Sequence, residues 1–124
     1  MKRLIEFAIL GFILIAISLL ATHIPYSDKV CHVIGGIAVA WLFEPLFSKN
    51  YSSKKSLGFW LAIIGVVSTV GIAWEIAEHL SSVYSPVYLP KFLKYFYGGD
   101  LSDTLRDLVA DISGSLIYLF YRSR

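Results

Sequence analysis

Four apolar segments, each long enough to cross a lipid bilayer, take up most of this chain of 124 residues. A membrane-spanning helix needs about 20 mainly apolar residues. The candidate segments cover about residues 4–22, 28–47, 57–80 and 103–121. Because backbone groups in lipid must be hydrogen-bonded within their own segment, all four are predicted to be helices. The sequence therefore predicts an all-α protein, with residues 1–124 forming a single domain, an integral membrane four-helix bundle.

The composition agrees with a membrane protein. Hydrophobic residues make up 56% of the chain and charged residues 16%, whereas a soluble domain is about one quarter charged. The first apolar segment follows Lys2 and Arg3 and resembles a signal peptide. Its apolar run is long for such a peptide and lacks a convincing cleavage site, so we expect an uncleaved first helix.

The basic residues predict how the bundle is oriented. With four spans, one side of the membrane receives Lys2, Arg3, Lys49, Lys54, Lys55, Arg122 and Arg124, and the other receives Lys29, Lys91 and Lys94. The positive-inside rule then places both termini in the cytoplasm and the loop 81–102 outside. We expect a multi-pass protein of the plasma or inner membrane. Nucleic acid is not an expected partner, because the basic residues lie beside the membrane and form no patch.

Ionisable side chains recur on one face of each of the last three helices. Residues three or four positions apart share a helix face, and the spacing holds for Asp28 and His32, for Glu75, Glu78 and His79, and for Asp103, Asp107 and Asp111. In the predicted topology these three sets lie at the same depth, in the outer third of the membrane. The coincidence of face and depth predicts one shared polar pocket that opens outward.

A charged group at the centre of a bilayer costs about 2.5–3.5 kcal/mol on insertion scales. The acids must therefore face one another, a bound cation or a water-filled cavity. Carboxylates and imidazoles bind divalent cations such as Zn, Mn or Mg, and the predicted ligands are His32, Glu75, His79, Asp103 and Asp107. Without a metal, the same acids would share protons and no cofactor would be needed.

The same residues are the candidates for chemistry. We expect metal-ligand or acid–base roles for Glu75, Glu78, Asp107 and His32, and substrate binding by Arg106 and Asp28, with Arg106 suited to an anionic headgroup. Simpler roles stay open at this point. Asp28 and Asp103 could cap helix starts, His32 and His79 could be hydrogen-bonded packing residues, and Arg106 could extend to lipid headgroups.

The stretches SDKVCHVIGGIAVAWLF, GIAWEIAEHL and GGDLSDTLRDLVADISGSL resemble the VanZ-like superfamily of small membrane proteins, including its uncharacterised inner-membrane branch. The resemblance covers roughly residues 27–116, and its pattern matches Asp28, His32, Glu75, Asp103, Asp107 and Gly114. Some members confer low-level teicoplanin resistance by a mechanism that is not established. The resemblance therefore implies a fold and a site more than a reaction. Glu78-His79 departs from the family, which often has glutamine after the glutamate.

Three functions are compatible with the pattern. The first is a metal-assisted hydrolase or transferase that acts on a cell-envelope lipid or a lipid-linked glycan, with membrane lipid and a lipid-linked envelope precursor as partners. The second is a cation- or proton-binding transport component, which would function as a homo-oligomer because four short helices hardly enclose a path. The third is a structural membrane subunit whose polar cluster only stabilises the bundle.

Overall fold

The computed structural model describes residues 2–20, 26–51, 53, 55–88 and 101–124. Within these ranges the chain forms four α-helices: α1 (Lys2–Leu20), α2 (Ser27–Ser48), α3 (Leu57–Tyr88) and α4 (Leu101–Ser123). Helix α2 packs against each of the other three, most extensively against α4, and α3 and α4 also pack together. The predicted all-helical chain is confirmed for the described residues.

Helices α2 and α3 each begin at a local feature of the chain. Tyr26 precedes α2 with a φ of 65°, in the left-handed region that turns the chain into the helix. Ser56 caps α3, because its Oγ accepts a hydrogen bond of 3.2 Å from the backbone N–H of Phe59 and so satisfies one of the free donors of the first turn. The connection between the two helices is short, which makes them antiparallel neighbours.

Glycines allow α2 and α4 to approach closely. A Cβ on Gly36 would overlap the carbonyl oxygen of Asp111, and a Cβ on Gly114 would overlap the carbonyl oxygen of Val33. Such contact between helix backbones is typical of small residues at the helix interfaces of membrane proteins. The crossing also brings the acidic half of α4 against the first turns of α2.

An apolar core fills the middle of the bundle. Phe59, Ile63 and Val67 lie on one face of α3 and are at most 2% exposed. They pack with Val39 and Ala40 of α2 and with Tyr118 and Leu119 of α4. The core separates two polar regions, one near the start of α2 and one near its end.

The polar region near the end of α2 is built around Glu44, which is 4% exposed. Its carboxylate accepts a hydrogen bond of 2.5 Å from the Tyr118 hydroxyl and bonds of 3.3 and 3.0 Å from Nε and Nη2 of Arg122. These contacts attach the last turn of α4 to α2 and leave no charge of Glu44 uncompensated.

Pro45 lies inside α2 and cannot donate the hydrogen bond that the carbonyl of Trp41 would receive four residues earlier. Arg3 of α1 donates to that carbonyl instead, through Nη1 at 3.0 Å. The guanidinium also lies 5.1 Å from the centre of the Trp41 ring, as in a cation–π contact. The first helix is thus attached to α2 at the carbonyl that the proline leaves unpaired.

The helix bounds differ from the expected ones mainly in α3. The loop 81–102 was expected to begin at residue 81, but α3 continues through Pro86 to Tyr88. A proline removes one hydrogen bond of a helix without necessarily ending it, and Pro45 likewise lies inside α2. Residues 89–100 of the expected loop lie outside the described residues.

Within the described residues, two helical stretches are long and apolar enough to cross a membrane, Ser27–Ser48 with a mean hydropathy of 1.7 and Leu57–Leu80 with a mean hydropathy of 2.0. Helix α4 has acids on its packed side and apolar residues on its exposed side, where Val109 is 63% and Ile117 is 54% exposed. Polar groups inside and apolar groups outside are the pattern expected of a helix bundle in lipid.

Candidate functional site

The polar region near the start of α2 brings together ionisable side chains from three helices. Throughout, "the polar cluster" means Asp28, Lys29 and His32 of α2, Glu75 of α3, and Asp103, Asp107 and Asp111 of α4. His32, Glu75, Asp107 and Asp111 are each less than 9% exposed. The sequence-based expectation that three helices contribute to one pocket agrees with this arrangement.

Lys29 connects the acids of α2 and α4. Its ammonium lies 3.2 Å from Asp28 Oδ2, 2.7 Å from Asp103 Oδ1 and 2.5 Å from Asp107 Oδ1. The Lys29 side chain is 25% exposed, whereas that of Asp107 is 4% exposed. The lysine therefore neutralises part of a carboxylate that has almost no access to solvent or lipid headgroups.

His32 is held in place by Asp111. Its Nδ1 lies 3.2 Å from Asp111 Oδ1, within hydrogen-bond distance, and Nδ1 is the donor of this pair when the carboxylate is ionised, since an ionised carboxylate only accepts hydrogen bonds. Gly71 of α3 makes room for Asp111, since a Cβ there would overlap Asp111 Oδ2. The hydrogen bond orients the ring so that its second nitrogen, Nε2, points to the other members of the cluster.

Nε2 of His32 faces one carboxylate from each of three helices. The distances are 3.8 Å to Asp28 Oδ1, 3.9 Å to Glu75 Oε1 and 3.7 Å to Asp107 Oδ1. Among the described residues, Glu75 Oε1 is one of two buried side-chain oxygens without a hydrogen-bond partner, and Asp111 Oδ2 is the other. A buried oxygen without a partner costs about 1–3 kcal/mol or more, so Glu75 Oε1 points to an occupant of the space beside His32.

The donor set fits a divalent cation. One ligand atom each from Asp28, His32 and Asp107 can be chosen such that all three lie within 4.8 Å of one another. Ligands at about 2.0–2.2 Å in a tetrahedral zinc site lie about 3.3–3.6 Å apart, a few tenths of an ångström less than the distances from Nε2. The hydrogen bond from Nδ1 to Asp111 is the contact that metal-binding histidines usually make with a carboxylate.

The charges of the polar cluster also favour a cation. In the part of the cluster that the structure describes, five carboxylates face one lysine and one histidine. Negative charge that is not compensated is strongly unfavourable in a buried site. Bound protons or a bound metal ion would restore the balance.

A cavity of about 430 Å³ that is open to the outside of the bundle lies between α3 and α4, next to the polar cluster. Its walls are mostly apolar, and Glu75, His79 and Thr104 are its polar members; the others are Ile72, Ile76, Leu80, Leu101 and Leu108. Thr104 also hydrogen-bonds to the Glu75 carboxylate. Glu75 therefore belongs both to the cavity and to the polar cluster.

The structure brings some of the predicted site residues together and places others nearby. Asp28, His32, Glu75 and Asp107 meet around Nε2 of His32. Asp103 contacts Lys29, and His79 lines the cavity. Glu78 is half-buried and accepts a hydrogen bond of 2.7 Å from Trp74 Nε1; Arg106 is exposed.

Sequence reasoning missed the part played by Lys29 and did not include Asp111 among the predicted ligands. Lys29 was counted only as a basic residue on one side of the membrane. A signal was present, since a lysine in the first turn of an apolar helix, beside an aspartate and three residues before a histidine, needs anionic partners. Asp111 stands at the spacing that continues Asp103 and Asp107 one turn further.

Comparison with curated proteins and with solved structures found no match. One family model matches the chain from residue 1 to residue 124, and its description is "Predicted membrane protein (DUF2238)". The match covers every helix and every residue of the polar cluster. The apolar exterior, the two apolar spans and this match over the whole chain lead to one conclusion: the chain belongs to the DUF2238 family of predicted membrane proteins.

Proposed function

We propose that this protein binds a divalent cation in the polar cluster and uses it in hydrolysis or phosphoryl-type transfer on a cell-envelope lipid or lipid-linked glycan. The observation that carries the proposal is Glu75 Oε1, a buried oxygen that lies 3.9 Å from His32 Nε2 and has no hydrogen-bond partner in the part of the chain that the structure describes. An oxygen in this position is stabilised when a cation binds between the two atoms. Zn, Mn and Mg are the candidate ions.

The contacts of the site residues suggest a separate role for each group of them. Asp28, His32, Glu75 and Asp107 would hold the ion, and Asp111 would position His32 through Nδ1. A divalent ion in such a site polarises a phosphoryl or carbonyl oxygen and lowers the pKa of a bound water. Further from the ion, Asp103 stays with Lys29, and Glu78, His79 and Arg106 would contact the substrate or accept its protons.

The cavity between α3 and α4 supports a lipid-linked substrate. Its apolar walls suit a hydrocarbon chain, and Glu75 stands where the cavity meets the polar cluster. A chain lying against Ile76 and Leu108 would bring its headgroup to the cation. A volume of about 430 Å³ is within the range of ordinary ligand sites.

The proposed setting is the plasma or inner membrane, with both termini in the cytoplasm and the polar cluster on the extracytoplasmic side. The distribution of basic residues supports this orientation.

Membership of the VanZ-like superfamily is part of the same proposal, supported by Asp28, His32, Glu75 and Asp107 at the matching positions. Membrane lipid is the proposed partner, and a homo-oligomer is compatible with the proposal.

The alternative of a transport component receives less support. A cation path would have to continue from the polar cluster to the region of Glu44. Among the described residues, the helix segments between the two regions carry the buried apolar core, including Phe59, Ile63 and Leu119.

A purely structural cluster is favoured by one observation, the three contacts of Lys29. An activity assay separates this alternative from an enzyme.

The assay measures phosphate released from three probes, a polyprenyl pyrophosphate, a polyprenyl phosphate and phosphatidate, by purified protein with Mn²⁺ or with EDTA. We expect release from at least one probe with Mn²⁺, and a loss of about 100-fold or more in Glu75→Gln, whose amide is a poor metal ligand and base. Glu6→Gln is the matched control, because Glu6 is an exposed glutamate near the start of α1.

No release from any probe by folded protein with bound Mn²⁺ would count against an enzyme acting on lipid phosphates. Equal activity in Glu75→Gln and wild type would remove Glu75 from the site. A lower stability of Glu75→Gln without activity in either protein would favour the structural alternative.

A further inference from the structure

Lys29 and the proposed metal ion would use the same carboxylates. Asp107 Oδ1 lies 2.5 Å from Lys29 Nζ and 3.7 Å from His32 Nε2. Asp28 likewise turns Oδ2 to Lys29, at 3.2 Å, and Oδ1 to His32, at 3.8 Å. An ion bound to His32 and to these oxygens would therefore stand directly beside the ammonium group.

The Lys29 ammonium and a metal ion bound to the same carboxylates would repel each other strongly, and the low dielectric of a buried site makes the repulsion larger. A divalent ion also draws carboxylate oxygens toward itself more tightly than an ammonium does. Contact of Lys29 with Asp107 therefore disfavours binding of a metal ion to Asp107, and binding of the metal ion disfavours the contact with Lys29.

We infer that Lys29 is an internal cation that competes with the metal for Asp28 and Asp107, so that the metal ion binds by displacing the Lys29 ammonium. This inference rests on the proposed cation site. Lys29 thereby helps to determine the affinity of the site for the metal. It neutralises Asp28 and Asp107 before the metal binds, and the metal binds more weakly because the contacts of Lys29 with these acids must first be broken.

The structure offers a route for the displaced ammonium. The Lys29 side chain is 25% exposed and sits on a flexible four-carbon stem. Asp103 is 42% exposed and contacts Lys29 at 2.7 Å, and it is not among the carboxylates facing His32 Nε2. Lys29 can therefore leave Asp28 and Asp107 while it keeps Asp103 as its partner near the surface.

The test compares Mn²⁺ affinity by isothermal titration calorimetry for wild type, Lys29→Gln and Lys29→Arg in detergent. We expect Lys29→Gln to bind Mn²⁺ about tenfold more tightly or better, because a charge-assisted contact to buried Asp107 no longer has to be broken. Lys29→Arg keeps a cation in place and should bind no more tightly than wild type. Lys49→Gln, at an exposed lysine after α2, is the control for loss of charge alone.

A second measurement covers the case in which Lys29→Gln folds poorly without metal. In the wild-type protein, modification of Lys29 by an amine-reactive reagent should increase when Mn²⁺ is added, since the ammonium moves toward the surface. Equal modification with and without saturating Mn²⁺ would overturn the inference, as would equal or weaker Mn²⁺ binding by folded Lys29→Gln.

The two proposals fail in different ways. If neither wild type nor Lys29→Gln binds Mn²⁺ or Zn²⁺, the cation site itself is wrong. If wild type binds the ion and Lys29→Gln binds it less tightly, the cation site stands and Lys29 is not a competitor but a support of the site.

Discussion

Asp111 contacts α2 in two ways, through its side chain and through its backbone carbonyl. Its Oδ1 meets His32 Nδ1 at 3.2 Å, and its carbonyl oxygen is the group against which Gly36 packs. One residue therefore sets both the spacing of α2 and α4 and the direction of the imidazole. The side chain of Asp111 orients His32, and its backbone carbonyl lies at the close approach of the two helices.

Replacing Asp111 tests the positioning of His32. We expect Asp111→Ala to weaken Mn²⁺ binding about 10- to 100-fold, the usual effect of losing the carboxylate behind a metal-binding histidine. Asp111→Asn keeps an oxygen that can accept from Nδ1 and should recover most of that affinity. The measurement is calorimetric titration with Mn²⁺, with thermal unfolding as the check on folding.

Equal losses in the alanine and asparagine variants would show that Asp111 acts through its charge and not through the hydrogen bond. No loss in either variant would contradict the orientation of His32 described above.

Spacing along the sequence was enough to predict that His32, Glu75 and Asp107 share a pocket, because each lies on the polar face of its helix. It was not enough to predict the contacts of Lys29. Those depend on how far α2 and α4 are rotated about their own axes, which the close approach at Gly36 determines. The assignment of His79 to the metal depended in the same way on the rotation of α3, and the structure places His79 on the cavity.

Small residues, more than the polar pattern, determine how the helices cross. Gly36 and Gly114 each face a carbonyl of the opposite helix, whereas a Cβ on Gly11 or Gly65 would have nothing within 4 Å. Glycines in the same chain thus have different roles, which sequence alone does not separate. The extension of α3 to Tyr88 through Pro86 is a second feature that a list of helix breakers does not predict.

Alanine substitutions at these glycines should separate the two roles. Gly36→Ala should destabilise the protein by about 1–3 kcal/mol, the usual range for overpacking. Gly65→Ala should be neutral or stabilising by up to about 1 kcal/mol, because alanine favours the helix and meets no neighbour. Unfolding in mixed micelles measures both. Similar effects of the two substitutions would contradict the close crossing of α2 and α4.

The attachment of α1 makes a prediction for the pair Arg3 and Pro45. Arg3→Met should lower stability by about 1–2 kcal/mol, since it removes a charged donor from the Trp41 carbonyl. In a Pro45→Ala background the amide of residue 45 can donate to that carbonyl, so the same substitution should cost less. A double-mutant cycle measures the difference, and Lys2→Met is the control. Additive effects would show that Arg3 does not replace the missing bond.

At the scale of the whole molecule, the described residues differ from a soluble domain in two ways: charged side chains are buried beside the apolar core, and large apolar side chains cover much of the exterior. Buried positions include His32, Glu44, Glu75, Asp107 and Asp111, while many large apolar side chains are exposed on every helix. The sequence predicted this arrangement, because the apolar content and segment lengths leave few other solutions. The polar region around Glu44 was not predicted as a site, since an acid near the end of an apolar segment is typical of a group at the membrane interface.

The metal content of the purified protein tests the central claim, that three helices form one cation site. Elemental analysis of protein dialysed against Zn²⁺ or Mn²⁺ and then freed of unbound ion should find about one ion per chain in wild type. His32→Ala and Asp107→Asn should each retain little of it, and Glu6→Gln should match wild type. Folded wild-type protein that retains no ion, or variants that retain as much as wild type, would contradict the account.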